Sequence, residues 1–113
     1  MRLTSAIFVS AQIRRCLIEG ASAVVVRRGA AEAGAIFVVV DRLDGTVDLY
    51  APAPQTAFDE GRPADRLFQA VMQGASNEAV NARLEREKKF DPDLWVMAIE
   101  DRAGRSFLEL VPA

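Results

Sequence analysis

The sequence predicts an α+β domain: a mostly antiparallel sheet of five or six strands with two helices, in the order α-β-β-β-(β)-α-β-β. Three observations support that class. Apolar residues recur at three- and four-residue steps near the N-terminus and again around Val80. Short β-branched runs, separated by glycine and proline, lie between and after those stretches. Two of the runs, Ile36–Val40 and Leu94–Ile99, are apolar on both faces, as central strands of a covered sheet are. At 113 residues the chain reads as one domain, 1–113, long enough to bury a core without staples.

Each element has its own signal. Thr4 or Ser5 can cap a helix running to about Glu19, with Ala6, Val9, Ile13, Cys16 and Leu17 as its apolar stripe and Gly20 as its stop. Ala23–Arg28 and Ala35–Arg42 read as a hairpin about the loop Gly29–Gly34, whose glycines suit positive φ. Asp44-Gly45 turns the chain into Thr46–Tyr50, whose alternation marks a half-buried strand near an edge. Prolines and glycine punctuate 51–64, a long loop. Arg66–Gln73 satisfies both the helix and the strand template in part, and Gly74 favours a strand ending there. Ser76 or Asn77 opens a second helix on a thin stripe of Val80 and Leu84, with Glu85 and Lys89 spaced as an i,i+4 pair. Asp91-Pro92 ends it, because the residue before proline is pushed out of the α region. Leu94–Glu100 and Ser106–Val111 then read as a closing hairpin.

Composition excludes more than it assigns. The chain has no histidine, so a Ser-His-Asp triad, a Cys-His pair and histidine metal ligation are all impossible. Zinc would have to bind carboxylates and a single thiolate, so no metal site and no cofactor are assigned. A formal net charge of −2 argues against nucleic acid, whose phosphates call for a basic surplus. One cysteine, Cys16, permits no internal disulfide and points to a reducing compartment. Arg14 and Arg15 interrupt the first apolar stretch before a secretory core forms, and no run approaches the ~18 apolar residues of a membrane span. A cytoplasmic setting without a membrane role is the expectation.

Several groups are placed to bind a ligand, each with a structural alternative. Arg28, from the pairs Arg14-Arg15 and Arg27-Arg28, could clamp an anion bidentately; solvated edges or ion pairs with Glu32 and Asp41 are the favoured explanation of the arginines. Only one of Arg27 and Arg28 can join a given site, since neighbours on a strand point to opposite faces. Asp91 and Asp93 could form a local acidic site, yet Asp-Pro-Asp between helix and strand is common turn chemistry. A ligand-binding reading would gather Arg28, Glu32, Arg83, Glu87, Asp91 and Asp93 between the second helix and the closing hairpin. Asp91 or Glu87 would then act as acid or base, and Trp95, otherwise core, would stack the ligand. No catalytic residue is assigned. Cys16 lies on the apolar helix face, a buried thiol with no histidine to activate it.

Ser5–Arg15, Val25-Val26-Arg27-Arg28-Gly29, Glu32–Val38 and above all Arg83–Asp101 resemble a bacterial domain-of-unknown-function family known mainly from alphaproteobacteria. Those stretches span nearly the whole chain, and the resemblance brings no activity, cofactor or partner with it.

The strand pattern yields the leading functional expectation. Two strands greasy on both faces face one strongly and one thinly apolar helix, too little to hide both sides. Either the 51–64 loop, anchored by Phe58, or a second chain must supply the rest. The expectation is a non-catalytic interaction or regulatory domain that self-associates as a homodimer or meets another protein. A small enzyme or anionic-ligand-binding domain is the rival.

Overall fold

The computed structural model describes residues 3–54 and 66–112. The chain runs α1 (Ser5–Ile18), β1 (Ser22–Arg27), β2 (Ile36–Asp41), β3 (Val47–Pro52), β4 (Phe68–Ala75), α2 (Asn77–Phe90) and β5 (Trp95–Glu100). The five strands form one sheet in the order β1-β5-β2-β3-β4, and all neighbours are antiparallel except β2 and β5. The α+β class and the element order are those the sequence predicts, and Arg66–Gln73 resolves as strand. Phe58 and most of the 51–64 loop lie outside the described residues.

Two expected hairpins do not form. β1 and β2 are separated by β5, which runs antiparallel to one and parallel to the other. The loop between them is long enough to step across two strand spacings, roughly 10 Å. An apolar β5 gains cover and a ladder on both edges by taking the middle. With both its edges taken, β5 leaves no place for Ser106–Val111. That tail turns through Phe107, at φ 59°, and packs Phe107 and Leu108 into the α1-side core. It reaches the far edge of the sheet, where Phe68 donates to Glu109 O and Val111 donates to Phe68 O, both at 2.9 Å.

β3 also departs from expectation. Held between β2 and β4, it is buried on both faces over Val47–Ala51, not half-buried. The burial includes Asp48, which accepts from the Arg42 guanidinium at 2.8 Å and from the Gly74 backbone N–H at 2.8 Å. A buried carboxylate persists only with such partners.

α1 packs on one face of the sheet and α2 on the other. Thr4 and Ser76 cap them, accepting from the N–H of Ile7 and Ala79. α1 is turned slightly from its expected stripe: Ser5, Val9, Gln12 and Cys16 point inward, and Leu17 is exposed. The rotation has a polar cause. Ser5 Oγ donates to Gly34 O at 2.6 Å, and Gln12 Nε2 donates to Ser106 O and Phe107 O at 3.2 and 2.9 Å. On α2, Val80 and Leu84 are buried as expected. Glu85 pairs with Lys88 and Arg83 with Glu87, because solvated side chains take whichever neighbour on the helix face is nearer.

The helices are offset along the sheet. α1 lies against β1, whereas α2 contacts β3 and β4. Each face thus owns a core. The α1-side core is built on Ile36, Val38, Val40, Met97 and Ile99 and is completed by the C-terminal tail. The α2-side core is built on Phe37, Val47, Leu49, Leu94 and Val96.

After β5, Asp101 closes the turn by accepting from the Arg105 backbone N–H, Nε and Nη2 at 2.8, 3.0 and 2.8 Å. These bonds, led by the Arg105 side chain, hold the Asp101 carboxyl below the usual range. A lowered folded pKa means stability present above the unfolded value, about 3.9, and lost as pH falls through the lower folded one. Urea unfolding from pH 6 down to 2 should show that loss, and Asp101→Asn should flatten the part of it that Asp101 carries.

Candidate functional site

The sequence-predicted site residues divide between one end of the sheet and the face of α2. At the sheet end, the loop 28–35 is stitched to the segment entering β5. Ala30 N–H donates to Asp93 O at 2.9 Å, Trp95 N–H to Ala35 O at 2.7 Å, and Trp95 Nε1 to Ala30 O at 2.8 Å. The same loop is fixed to the start of α1, where Ser5 and Ala6 N–H donate to Glu32 O and Ala31 O at 3.0 and 2.9 Å. Gly29 and Gly34 therefore have a different role from the expected one. Neither has positive φ; each lies where a Cβ would run into the carbonyl oxygen of Asp93. Close backbone approach, not turn conformation, excludes a side chain there.

Arg28 and Trp95 come together, with the guanidinium carbon 5.7 Å from the ring centroid. Trp95 itself is buried, so the contact is cation–π stacking on a core residue. Among the described residues no carboxylate pairs with Arg28. Arg27 donates to Leu94 O at 2.6 Å and Pro92 O at 2.9 Å, in place of the expected ion pairs with Glu32 or Asp41. Asp91 and Asp93 flank the same segment, and Asp91 Oδ1 accepts from Asp93 N–H at 3.0 Å. That is an Asx turn ending α2.

The remaining site residues lie elsewhere. Glu32 lines a concavity of about 320 Å³ with Leu3, Thr4, Ala33 and Arg66. Arg83 and Glu87 form an ion pair at 3.1 Å within α2. Among the described residues no three acidic or thiol groups converge as metal ligands. Cys16 is a free, buried thiol, and burial pushes its pKa up, holding it protonated.

The most distinctive exposed surface belongs to β1. It is an edge strand with no charged side chain from Ser22 to Val26, and Val24 and Val26 are 59% and 63% exposed. Val24 lies opposite Ala98, and Ala98 opposite Val39, so one apolar row crosses β1, β5 and β2. Ala23 and Val25 pack into the α1-side core, which puts Val24 on the other face. α2 is offset toward β3 and β4, so cover thins along the row from Val39, which packs against the α2-side core, to exposed Val24. Sequence reasoning missed this surface. The β-branched run Ala23–Arg28 carried no sign that β1 would stand at an edge.

The architecture is that of a small α+β protein: a five-stranded mixed sheet with one helix on each face. The chain belongs to the family described as "Protein of unknown function (DUF1491)", which matches residues 3–109. It is similar to the solution structure of protein Atu0922 from A. tumefaciens, with 45% identity and a TM-score of 0.86 over 100% of this chain and 98% of that one. It is also similar to the crystal structure of a DUF1491 family protein from Caulobacter crescentus CB15, with 39% identity and a TM-score of 0.79 over 97% of this chain and 98% of that one. No curated protein matches. The alphaproteobacterial resemblance read from Arg83–Asp101 and its companion stretches is thus the correct family.

The glycine contacts give a direct check on how the sheet end is held. Gly29→Ala and Gly34→Ala should each destabilise the fold by about 1–3 kcal/mol, the cost of forcing atoms into a closed contact. Urea unfolding followed by the fluorescence of Trp95 measures it. Gly45→Ala, in an open turn at φ 91°, serves as the comparison for backbone strain alone.

Proposed function

We propose that this protein is a non-catalytic interaction domain that pairs with a second copy of itself along β1. The observation that carries the reading is the uncharged β1 edge with its exposed valines, Val24 and Val26. Edge strands that stay free are usually protected by lysine, proline or a covering loop. Ser22–Val26 has no lysine or proline, and a bulge interrupts the ladder only between Val25 and Arg27. Two copies related by a two-fold axis would extend the sheet and set valine beside valine, with no like charges opposed. A cytoplasmic setting suits this reading, since the single thiol is reduced and buried. No helix among the described residues is long and apolar enough to cross a membrane.

Light scattering after size exclusion tests it. At about 100 µM the protein should elute with twice its 12.3 kDa mass. The double substitution Val24→Lys, Val26→Lys should give monomers with unchanged circular dichroism. A monomeric parent chain would overturn the reading.

One observation favours a second, narrower reading, anion binding at the sheet end: the exposed Arg28 guanidinium stacks on the only tryptophan without a carboxylate partner among the described residues. Inorganic phosphate at about 10 mM should then change Trp95 emission, and Arg28→Gln should abolish the change. An unchanged spectrum in the parent chain removes this reading.

A further inference from the structure

We infer that the outward face of α1 is a docking surface for an acidic amphipathic helix from a different protein. This rests on the interaction-domain reading and adds the class of partner. Ile7, Ala11, Arg14 and Ile18 follow one another at steps of four, three and four, a single seam along the helix. With Ser10 and Arg15 they form one open face of α1. The isoleucines at its two ends are 56% and 75% exposed, and the small side chains of Ser10 and Ala11 between them leave room for another helix to approach. Ile7 and Ile18 are about three helical turns apart, so a partner helix lying along α1 would meet both.

Charge selects the occupant. Over Ser5–Ile18 the helix carries Arg14 and Arg15 and no acidic residue, on a chain of net charge −2. A second copy of α1 would bring two arginine pairs together against only the Glu19 carboxylate at the C-cap of each helix, leaving positive charge in surplus. An anionic bilayer is a poorer match, because two arginines fall short of the roughly four to eight basic residues of a lipid-binding cluster. A helix with apolar anchors and flanking glutamates satisfies both the isoleucines and the arginines.

The probe is a fluorescein-labelled synthetic peptide of about 21 residues, three heptads with leucine at the two seam positions and glutamate flanking them. Anisotropy should show saturable binding to the full chain. Replacing the glutamates by lysine should weaken it at least about tenfold, as should Arg14→Glu with Arg15→Glu in the protein. Ile18→Ser, at a solvent-exposed position, should weaken it with an unchanged thermal melt. The Val24→Lys, Val26→Lys protein should bind the peptide like the parent chain, so failure of self-association and failure of the α1 docking surface are read separately. Equal binding of the glutamate and lysine peptides would overturn the proposal. So would binding to vesicles of phosphatidylcholine and phosphatidylglycerol without binding to the peptide, or no binding at up to about 500 µM.

Discussion

The insertion of β5 between β1 and β2 sets most other placements in the molecule. Trp95–Ile99 has no charged side chain and is predominantly apolar, so it needs cover above and below and a ladder on each edge. Once it occupies the middle, the chain leaving β1 must step past its N-terminal end to reach β2. That step presses Gly29 and Gly34 against Asp93 and places Arg28 over Trp95. The insertion also denies Ser106–Val111 a partner in β5. The tail then becomes part of the cover on the α1 side, held there by Gln12.

The same arrangement decides what stays exposed. α2 follows β4 directly and so returns over β3 and β4. α1 precedes β1 directly and lies over it on the opposite face. Each helix covers the sheet near its own sequence neighbour, which leaves the far end of the α2 face without a helix. The exposure of Val24 and Val26 is therefore a consequence of short connections.

Much of the fold was legible in the sequence, and the misses share one cause. Both helices, the β4 strand and the all-apolar character of β2 and β5 follow from local spacing and caps such as Thr4 and Ser76. Strand partnership does not. The loop Gly29–Gly34 reads the same whether its strands pair or another strand lies between them, and Ser106–Val111 has β propensity wherever it goes. β3 looked half-buried because Asp48 is charged, and only Arg42 and Gly74 make that burial tolerable. Of the predicted ligand group, the structure brings Arg28, Asp91, Asp93 and Trp95 to one end of the sheet and leaves Glu32, Arg83 and Glu87 in other contacts. Gathering such groups depends on pairing, which periodicity does not encode.

The two exposed apolar surfaces differ in a way that separates their partners. A two-fold axis places any residue near the axis against its own copy, so a self-pairing surface must be neutral there or carry both signs of charge. Ser22–Val26 meets that condition, with no charge to oppose. The outward face of α1 fails it, because Arg14 and Arg15 outnumber the one carboxylate at that helix end, Glu19. Burying both pairs of guanidinium groups together would oppose like charges in a surface stripped of water, where screening is weakest. The faces point to opposite sides of the sheet, so one can be filled by a copy of the chain while the other remains free for a partner of opposite charge.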